Sequence, residues 1–288
     1  MKKIITLLLI LTTLITFVGC GQAQSNEASK NKKDALEEIK KSGALVVATS
    51  PDFAPNEFYI IDEKGNKQII GSDISFAQAI ADEIGVKLEI KATDFNGALL
   101  NAQSGQAHMA ITGLAYTKER AKVLQFSHGY LREDSEGFQG ILMKKETAEK
   151  YKTLEDIKKA NLTIGAQQAS IQAELAEGLT SPKNVKLLAT IDVLAMSLNA
   201  GDIDAVVVSS SSADPLRATF TDLVVLPKEN FNLDSENVYS QTYVGFPMGD
   251  EYTSLIEVVN KVIKENTENK NFDKWVTDAK SKMDFQVE

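Results

Sequence analysis

Apolar and polar residues along this chain form blocks that predict strands alternating with helices. Ala44–Thr49 is a continuous apolar run, the pattern of a strand that is covered on both faces. Asp73–Ile84 repeats its apolar residues at helical spacing and is followed by Gly85, which suits the left-handed position at a helix end. The same pattern predicts a preceding helix and three further elements at Asp34–Ser42, Val86–Ala92, Gly97–Ser104 and Met109–Thr112. A β-α-β-α-β series of this kind predicts a parallel sheet with helices on both faces.

A second series of alternating elements begins at Thr153. The sequence Thr153-Leu-Glu-Asp has the pattern of a capping box and predicts a helix start. The strands predicted after it are Leu162–Ala166, Val185–Leu188, Ala205–Ser209, Leu223–Leu226 and Tyr243–Pro247, and the helices are Ile171–Glu177, Asp192–Asn199, Glu251–Glu265 and Phe272–Lys280. Two α/β units in a chain of 288 residues predict two lobes, and a cleft between lobes is a usual place for a small-molecule site.

The N-terminus has the pattern of a secretory signal. A basic start is followed by the apolar run Ile4–Val18, which is too short for a comfortable membrane span. The only cysteine, Cys20, follows at once, and Phe17-Val18-Gly19-Cys20 resembles a bacterial lipobox. This resemblance implies a signal peptide over residues 1–19, lipidation of Cys20, and a flexible tether over residues 20–35 that leads to an extracytoplasmic body anchored to the cell membrane. The alternative is a plain secretory signal with an incidental cysteine.

Charge and motif content exclude several classes of function. The formal net charge of −9 and the lack of any Lys or Arg run argue against a nucleic-acid partner. The chain has no Gly-rich phosphate loop, no Cys/His cluster with metal spacing and no Gly-x-Ser-x-Gly motif. We therefore expect neither a cofactor nor a metal, and no catalytic residue.

One arginine stands at an unusual position in a predicted helix. Thr117 is a candidate N-cap, and Arg120 then falls at the third helical position, where a capping box would have Glu or Gln. A cation there opposes the helix dipole unless an anion binds at the same end. The spacing leaves two interpretations open, an anion-binding arginine or an exposed arginine with a screened dipole.

Several motifs in order resemble one protein family, the bacterial extracellular solute-binding proteins of family 3. The segments that carry the resemblance are Val46–Phe58, Gly71–Phe76, Ser104–Met109, Gly113–Tyr130 and Ala200–Val206. The most specific is Gly113–Tyr130, which is close to Gly-x-Thr-x-Thr-x-Glu-Arg followed by Phe-Ser-x-x-Tyr. Family members are receptors of ABC importers for polar amino acids, so the resemblance implies a receptor that captures an amino acid or a related carboxylate and delivers it to an ABC permease.

The resemblance also implies an α/β fold of the periplasmic-binding-protein type (type II), in which a monomer closes its two lobes around the ligand. Each lobe would contain a mixed sheet flanked by helices. The first lobe would comprise residues 36–138 and 239–288, and the second residues 141–233. Two crossings, residues 139–142 and 233–238, would act as hinges.

The ligand-binding residues are implied one by one from the family motif. Arg120 would grip the ligand carboxylate, since its planar fork suits two parallel hydrogen bonds. The carbonyl of Gly113 would face the amine. The remaining first-lobe contacts implied are Ser50, Phe53, Glu57, Phe95, Ala115 and Thr117, with the two phenylalanines as aromatic walls. The second-lobe contacts implied are Gln167, Ser170, Ile171, Gln172 and Ser209, with Ala169 where the family usually has glycine.

The main departure from the family lies at the amine end of the ligand. Ser209 stands where the family commonly has the aspartate that pairs with the ligand ammonium. Asp52, Glu57 and Asp214 are candidates to supply the charge, although we expect each of them to be solvated. Because an unpaired ammonium in a closed cleft is unfavourable, either one acid compensates or the ligand is not an ordinary α-amino acid.

Two other classes of function are weighed against a binding protein. The same fold occurs in enzymes such as a cyclohexadienyl-type dehydratase, which needs a general acid or base in the cleft. The only histidines, His108 and His128, match peripheral positions of the family, which disfavours an enzyme. The third possibility is a sensor or adhesin without a transport role.

Overall fold

A computed structural model of the protein describes residues 33–131 and 137–283. Their strands are β1 (Ala44–Thr49), β2 (Asp52–Phe53), β3 (Glu57–Ile61), β4 (Lys67–Ile70), β5 (Lys87–Ala92), β6 (Met109–Ala110), β7 (Gln125–Phe126), β8 (Gln139–Lys144), β9 (Ile164–Gln167), β10 (Val185–Leu188), β11 (Ala205–Ser209), β12 (Leu223–Val225) and β13 (Gly245–Phe246). Their α-helices are α1 (Ala35–Ser42), α2 (Ser72–Ile84), α3 (Phe95–Gln103), α4 (Lys145–Ala148), α5 (Leu154–Ala160), α6 (Ile171–Glu177), α7 (Ile191–Ala200), α8 (Ser210–Thr219), α9 (Lys228–Phe231), α10 (Thr253–Glu268) and α11 (Asn271–Lys280). The predicted signal peptide and Cys20 lie outside the described residues.

The first lobe is built on a five-stranded sheet in the order β5-β1-β6-β13-β7. β1 pairs in parallel with β5 and β6, and β13 pairs antiparallel with β6 and β7, so the sheet is mixed. A core that includes Phe76, Ile80, Phe246 and Val259 joins one face of the sheet to α1, α2, α10 and α11. On the opposite face, Ala98 of α3 packs against the sheet. Burial on both faces accounts for the continuous apolar run of β1.

The second lobe has its own five-stranded mixed sheet in the order β10-β9-β11-β8-β12. β9 is parallel to β10 and β11, whereas β8 is antiparallel to β11 and β12. One core packs α5, α6 and α9 on this sheet, and a second packs α7 and α8 on it. The two sheets and their helices make the chain a two-lobe α/β protein, as predicted.

Two segments, residues 139–142 and 233–238, are predicted to carry the chain between the lobes. The first of these segments begins β8 and pairs with β11, so it is part of the second sheet. The N–H of Leu233 donates to the carbonyl of Gln139 at 2.8 Å, which joins the two segments. The carboxylate of Asp234 accepts the N–H groups of Val238 and Tyr239, both at 2.8 Å. Their role as hinges stays a prediction.

A small antiparallel sheet of β2, β3 and β4 was not predicted. It lies against α11, since Phe58 packs with Ala279. This sheet matters for function because β2 and β3 carry Asp52, Phe53 and Glu57. Within residues 33–131 and 137–283, none of the helices is long and apolar enough to span a membrane.

Candidate functional site

A cavity of about 850 Å³ lies between the two lobes. Its walls include ten of the residues that the sequence implies as ligand contacts: Ser50, Phe53, Phe95, Gly113, Ala115 and Arg120 from the first lobe, and Gln167, Ser170, Ile171 and Gln172 from the second. The cavity therefore brings residues that are distant in sequence into one site. Neither histidine lines it.

Three of the implied contacts do not line the cavity. Glu57 is fully buried beneath its wall, so the expectation that this carboxyl is solvated is wrong. Thr117 lies on the surface turn before Arg120. Ser209 is also fully buried, at the end of a strand that is covered on both faces, and its Oγ lies 2.9 Å from Oγ of Ser211.

Arg120 reaches the cavity from a single turn of 3-10 helix, Arg120–Lys122. Oγ1 of Thr117 accepts the backbone N–H of Arg120 at 3.1 Å, so the predicted hydrogen bond of Thr117 forms, although the 3-10 turn begins only after Glu119. The predicted helix beyond it does not form, and three residues of 3-10 helix provide little dipole. Any anion at this site would be bound by the guanidinium itself.

The Arg120 guanidinium lies between the lobes. Nη1 donates to the carbonyl of Ala115 at 2.6 Å, and Nη2 donates to the carbonyl of Ala169 in the second lobe at 2.9 Å. The Phe95 ring centre is 5.4 Å from Cζ. Burial lowers the pKa of Arg120 to about 10, so the group remains a cation at neutral pH. Since a guanidinium has five N–H donors, others stay available for a carboxylate.

The turn before α6 adopts the geometry that the family achieves with glycine. Ala169 has a φ of 63°, in the left-handed region, which turns its carbonyl toward Arg120. The Ser170 hydroxyl donates to the carbonyl of Gln167 at 2.7 Å and accepts the N–H of Ala173 at 3.2 Å. This hydroxyl therefore caps α6, and its implied contact with the ligand would compete with the cap.

Asp52 is the residue whose role sequence reasoning missed. Its Oδ1 accepts the Ser50 hydroxyl at 2.5 Å. Its Oδ2 accepts the side-chain N–H of Gln167 at 2.8 Å and the backbone N–H of Ile191 at 2.9 Å, both from the second lobe. Burial raises the pKa of Asp52, and the hydrogen bonds from Ser50 and Ile191 oppose the rise. The expectation that Asp52 is solvated is wrong, because partners across the cleft cannot be seen in the sequence.

The remaining second-lobe side chains of the site make local contacts. Nε2 of Gln172 donates to Oε1 of Gln139 at 2.8 Å. Asp214 lines the cavity edge but is exposed, as expected, and pairs with Arg217 at 3.1 Å. Among the described residues, no three His, Cys, Asp or Glu side chains lie together in a way that could hold a metal ion.

Two further carboxylic acids lie behind the first-lobe wall of the cavity. The Thr112 hydroxyl donates to Oε1 of Glu57 at 2.7 Å and accepts the N–H of Ser50 at 3.1 Å. Oδ2 of Asp73 accepts the N–H of Gly113 at 2.8 Å and the Tyr130 hydroxyl at 2.9 Å. These bonds fix the backbone of the cavity wall.

We expect the substitution Gly113→Ala to destabilise the protein by about 2–3 kcal/mol, because left-handed strain and steric overlap add. Gly113 has a φ of 55°, and a Cβ there would lie 2.5 Å from the Phe53 ring. Gly43→Ala is the matched control, since its φ is 78° but nothing lies within 4 Å of the added Cβ. Urea unfolding measures both variants. Equal losses would show that Phe53 does not pack tightly on Gly113.

Comparison with known proteins places the chain in one family. The family model for bacterial extracellular solute-binding proteins, family 3, matches residues 45–278. The arginine-binding extracellular protein ArtP of Bacillus subtilis (strain 168) is 28% identical over 290 residues, which cover 97% of this chain and 100% of the relative.

A solved structure and an enzyme are also similar to the chain. The structure is the amino acid ABC transporter substrate-binding protein AbpA from Streptococcus pneumoniae bound to L-arginine, with a TM-score of 0.74 and 32% identity, covering 87% of this chain and 100% of that chain. The enzyme is the cyclohexadienyl dehydratase of Pseudomonas aeruginosa, 27% identical over 62% of this chain and 66% of the relative. The family match includes both sheets and the cavity between them. The chain therefore belongs to the bacterial extracellular solute-binding proteins, family 3.

Proposed function

We propose that the protein captures an amino acid in the cavity between its lobes and delivers it to an ABC import permease. The observation that carries this proposal is the Arg120 guanidinium, a half-buried cation in the cavity wall with free donors for a carboxylate. L-Arginine is the first candidate ligand, because ArtP is named for arginine and AbpA is bound to it. Lipidation of Cys20 would keep the protein at the outer face of the cell membrane.

The proposed mechanism is capture followed by lobe closure. Arg120 and Asp52 belong to the first lobe, and each binds second-lobe atoms, namely the Ala169 carbonyl, the Gln167 amide and the Ile191 N–H. These contacts can form only when the lobes lie together. They therefore stabilise the closed form. The permease would bind this closed, ligand-containing form in preference to the open one.

Asp52→Ala is expected to weaken ligand binding by about 10- to 100-fold, because it removes two hydrogen bonds to a charged group that hold the lobes together. Titration calorimetry measures the dissociation constant. Asp192→Asn is the matched control. Asp192 lies in the first turn of α7, the helix that Asp52 contacts through Ile191, but its side chain is exposed. Equal affinity in Asp52→Ala and the native protein would contradict a role of Asp52 in closure.

We also propose that the protein is a receptor and not an enzyme, although the family includes a dehydratase. The cavity-lining residues include no histidine. Of the three lining acids, Asp52 binds Ser50 and Gln167, Asp214 binds Arg217, and Asp273 is exposed on α11. No lining acid is therefore both buried and free of a partner, as a general acid or base in a closed cleft would be.

A ligand screen tests the proposed function. Purified protein is heated with amino acids, short peptides and amine-free carboxylates, and hits are confirmed by calorimetry. Binding to the folded form alone raises the melting temperature, so we expect a rise with L-arginine or a related amino acid. A rise only with amine-free carboxylates would overturn the amino-acid assignment. Recovery of chemically unchanged ligand after incubation tests the absence of catalysis.

A further inference from the structure

The two lobes share one hydrogen-bonding pattern at the amino ends of two parallel strands. In the second lobe, the N–H of Asp204 donates to the carbonyl of Thr163 at 2.8 Å, and the N–H of Thr163 donates back to Oδ2 of Asp204 at 2.8 Å. In the first lobe, the N–H of His108 donates to the carbonyl of Val46 at 2.9 Å, and the N–H of Val46 donates back to Nδ1 of His108 at 2.9 Å. His108 and Asp204 therefore hold equivalent positions, one in each sheet.

The surrounding chain confirms that the two positions are equivalent. Each residue lies three positions after a left-handed glycine that follows a helix, Gly105 with a φ of 71° and Gly201 with a φ of 87°. A strand begins at the next residue in both lobes, β6 after His108 and β11 after Asp204. These strands pair in parallel with β1 and β9. The chain thus repeats one motif, with an imidazole in the first lobe and a carboxyl group in the second.

The imidazole and the carboxyl group respond differently to acid. A carboxyl group has an acceptor oxygen in both of its protonation states, whereas an imidazole nitrogen accepts a hydrogen bond only while it carries no proton. Because Nδ1 of His108 accepts the N–H of Val46, the ring is neutral and its proton is on Nε2. Protonation would turn Nδ1 into a donor that faces another donor. The ring would then have to leave, and the N–H of Val46 would lose its acceptor, which is unfavourable within a sheet.

The surroundings of the ring favour its neutral form. Burial of this half-buried side chain lowers the pKa of His108 below 6.5, and the charge of Glu89 on β5 opposes that change. Lys91, also on β5, binds Oε1 of Gln106 in the turn before His108 at 3.0 Å. β1 and residues 104–107 contain no titratable side chain. The stability that the neutral ring gives is thus complete above pH 6.5, and it is lost as the pH falls from 6.5 toward the lower folded-state value.

The strands that His108 joins lead to the wall of the ligand cavity. Beyond their carboxyl ends, the N–H of Ser50 donates to Oγ1 of Thr112 at 3.1 Å, and both residues line the cavity. The bond between Val46 and His108 joins the same two strands at their other ends. Side-chain acceptors therefore fix this part of the first lobe on both sides of β1 and β6.

We propose that His108 is an acid-sensitive tie in the first lobe, whose protonation frees the amino ends of β1 and β6 from each other while Asp204 keeps the equivalent bond in the second lobe. The lobe that carries Arg120 would therefore loosen in mild acid before the second lobe does. Neither the tie nor its test involves a ligand, so failure of this proposal would leave the proposed function untouched.

Amide hydrogen exchange measured by NMR on the native protein tests the tie directly. The N–H groups of Val46 and Thr163 are compared from about pH 7.5 to about pH 5, after correction for the intrinsic exchange rate. The equilibrium constant for opening at Val46 should rise by up to about 10-fold per pH unit below pH 6.5, until the folded-state pKa is reached. The constant at Thr163 should not change. Equal changes at both residues, or a neutral ring with its proton on Nδ1 in the nitrogen spectrum, would overturn the proposal.

Exchanging the two acceptors tests the same proposal through variants. His108→Asp gives the first lobe the acceptor of the second, so it should abolish the acid response at Val46. Asp204→His should transfer that response to Thr163, and it decides the question if His108→Asp does not fold. An acid response at Val46 that survives in His108→Asp, or its failure to appear at Thr163 in Asp204→His, would overturn the tie.

The second histidine of the chain provides the matched control. His128 is exposed, and its backbone N–H, not its ring, binds Oδ1 of Asn260 at 2.7 Å. His128→Asn therefore removes an imidazole that accepts no backbone N–H, and it should leave the acid response at Val46 unchanged. Loss of the response in this variant would contradict its assignment to His108.

Discussion

Arg120→Ala is expected to abolish the ligand-induced rise in melting temperature without unfolding the protein. In the proposed site the guanidinium binds the ligand carboxylate, and loss of one partner of a buried charge pair weakens binding by about 2–5 kcal/mol, or about 30- to 5000-fold. Melting curves with and without L-arginine, followed by calorimetry, measure the change. The ligand-free melting temperature should stay close to that of the native protein, because Arg120 contacts two carbonyls that water can also satisfy.

Two further variants make this result specific. Arg120→Lys keeps the charge but loses the planar fork, so we expect an intermediate loss of affinity. Lys118→Ala removes an exposed cation from the same turn and should bind as the native protein does. If Arg120→Ala keeps the full ligand response, Arg120 is not the carboxylate anchor.

Hydrophobic patterning was sufficient for the elements that are buried on both faces. The strands Ala44–Thr49 and Ala205–Ser209 have their predicted bounds. The edge strand Val185–Leu188 also has its predicted bounds, although it is partly exposed. The strand predicted over Met109–Thr112 is only Met109–Ala110, since β1 pairs with it at these two residues and the short β13 only at Ala110. The β2-β3-β4 sheet was not predicted, because its strands have only 2, 5 and 4 residues, too few for the pattern to separate them from a loop.

The residues of the site were predictable only through the family motif, and their contacts were not predictable at all. Ten of the thirteen implied contacts line the cavity. The hydrogen bonds of Asp52 to Gln167 and Ile191 join residues that are 115 and 139 positions apart in the sequence. Local pattern carries no information on such pairs, because lobe packing determines them. The burial of Glu57 could not be predicted for the same reason, since α2 and Thr112, which cover it, are distant from it in the sequence.

Glu57→Gln is expected to raise the free energy of unfolding relative to the native protein as the pH increases. Burial and the charge of Asp73 raise the folded-state pKa of Glu57 well above the unfolded-state value of about 4.3. Glu57 therefore binds its proton more tightly in the folded state, and the stability that this gives is lost as pH rises through the window between the two values. Glutamine does not titrate, and its carbonyl can still accept the Thr112 hydroxyl.

The free energy of unfolding of Glu57→Gln should exceed that of the native protein by an amount that grows with pH. This amount increases by about 1.4 kcal/mol per pH unit above pH 4.3, up to the folded-state pKa of Glu57. Urea unfolding at several pH values from 4.5 to 8 measures it. Glu63→Gln, in the exposed turn of the same hairpin, should give a difference that does not vary with pH. Parallel profiles for Glu57→Gln and the native protein would show that Glu57 is ionised in the fold.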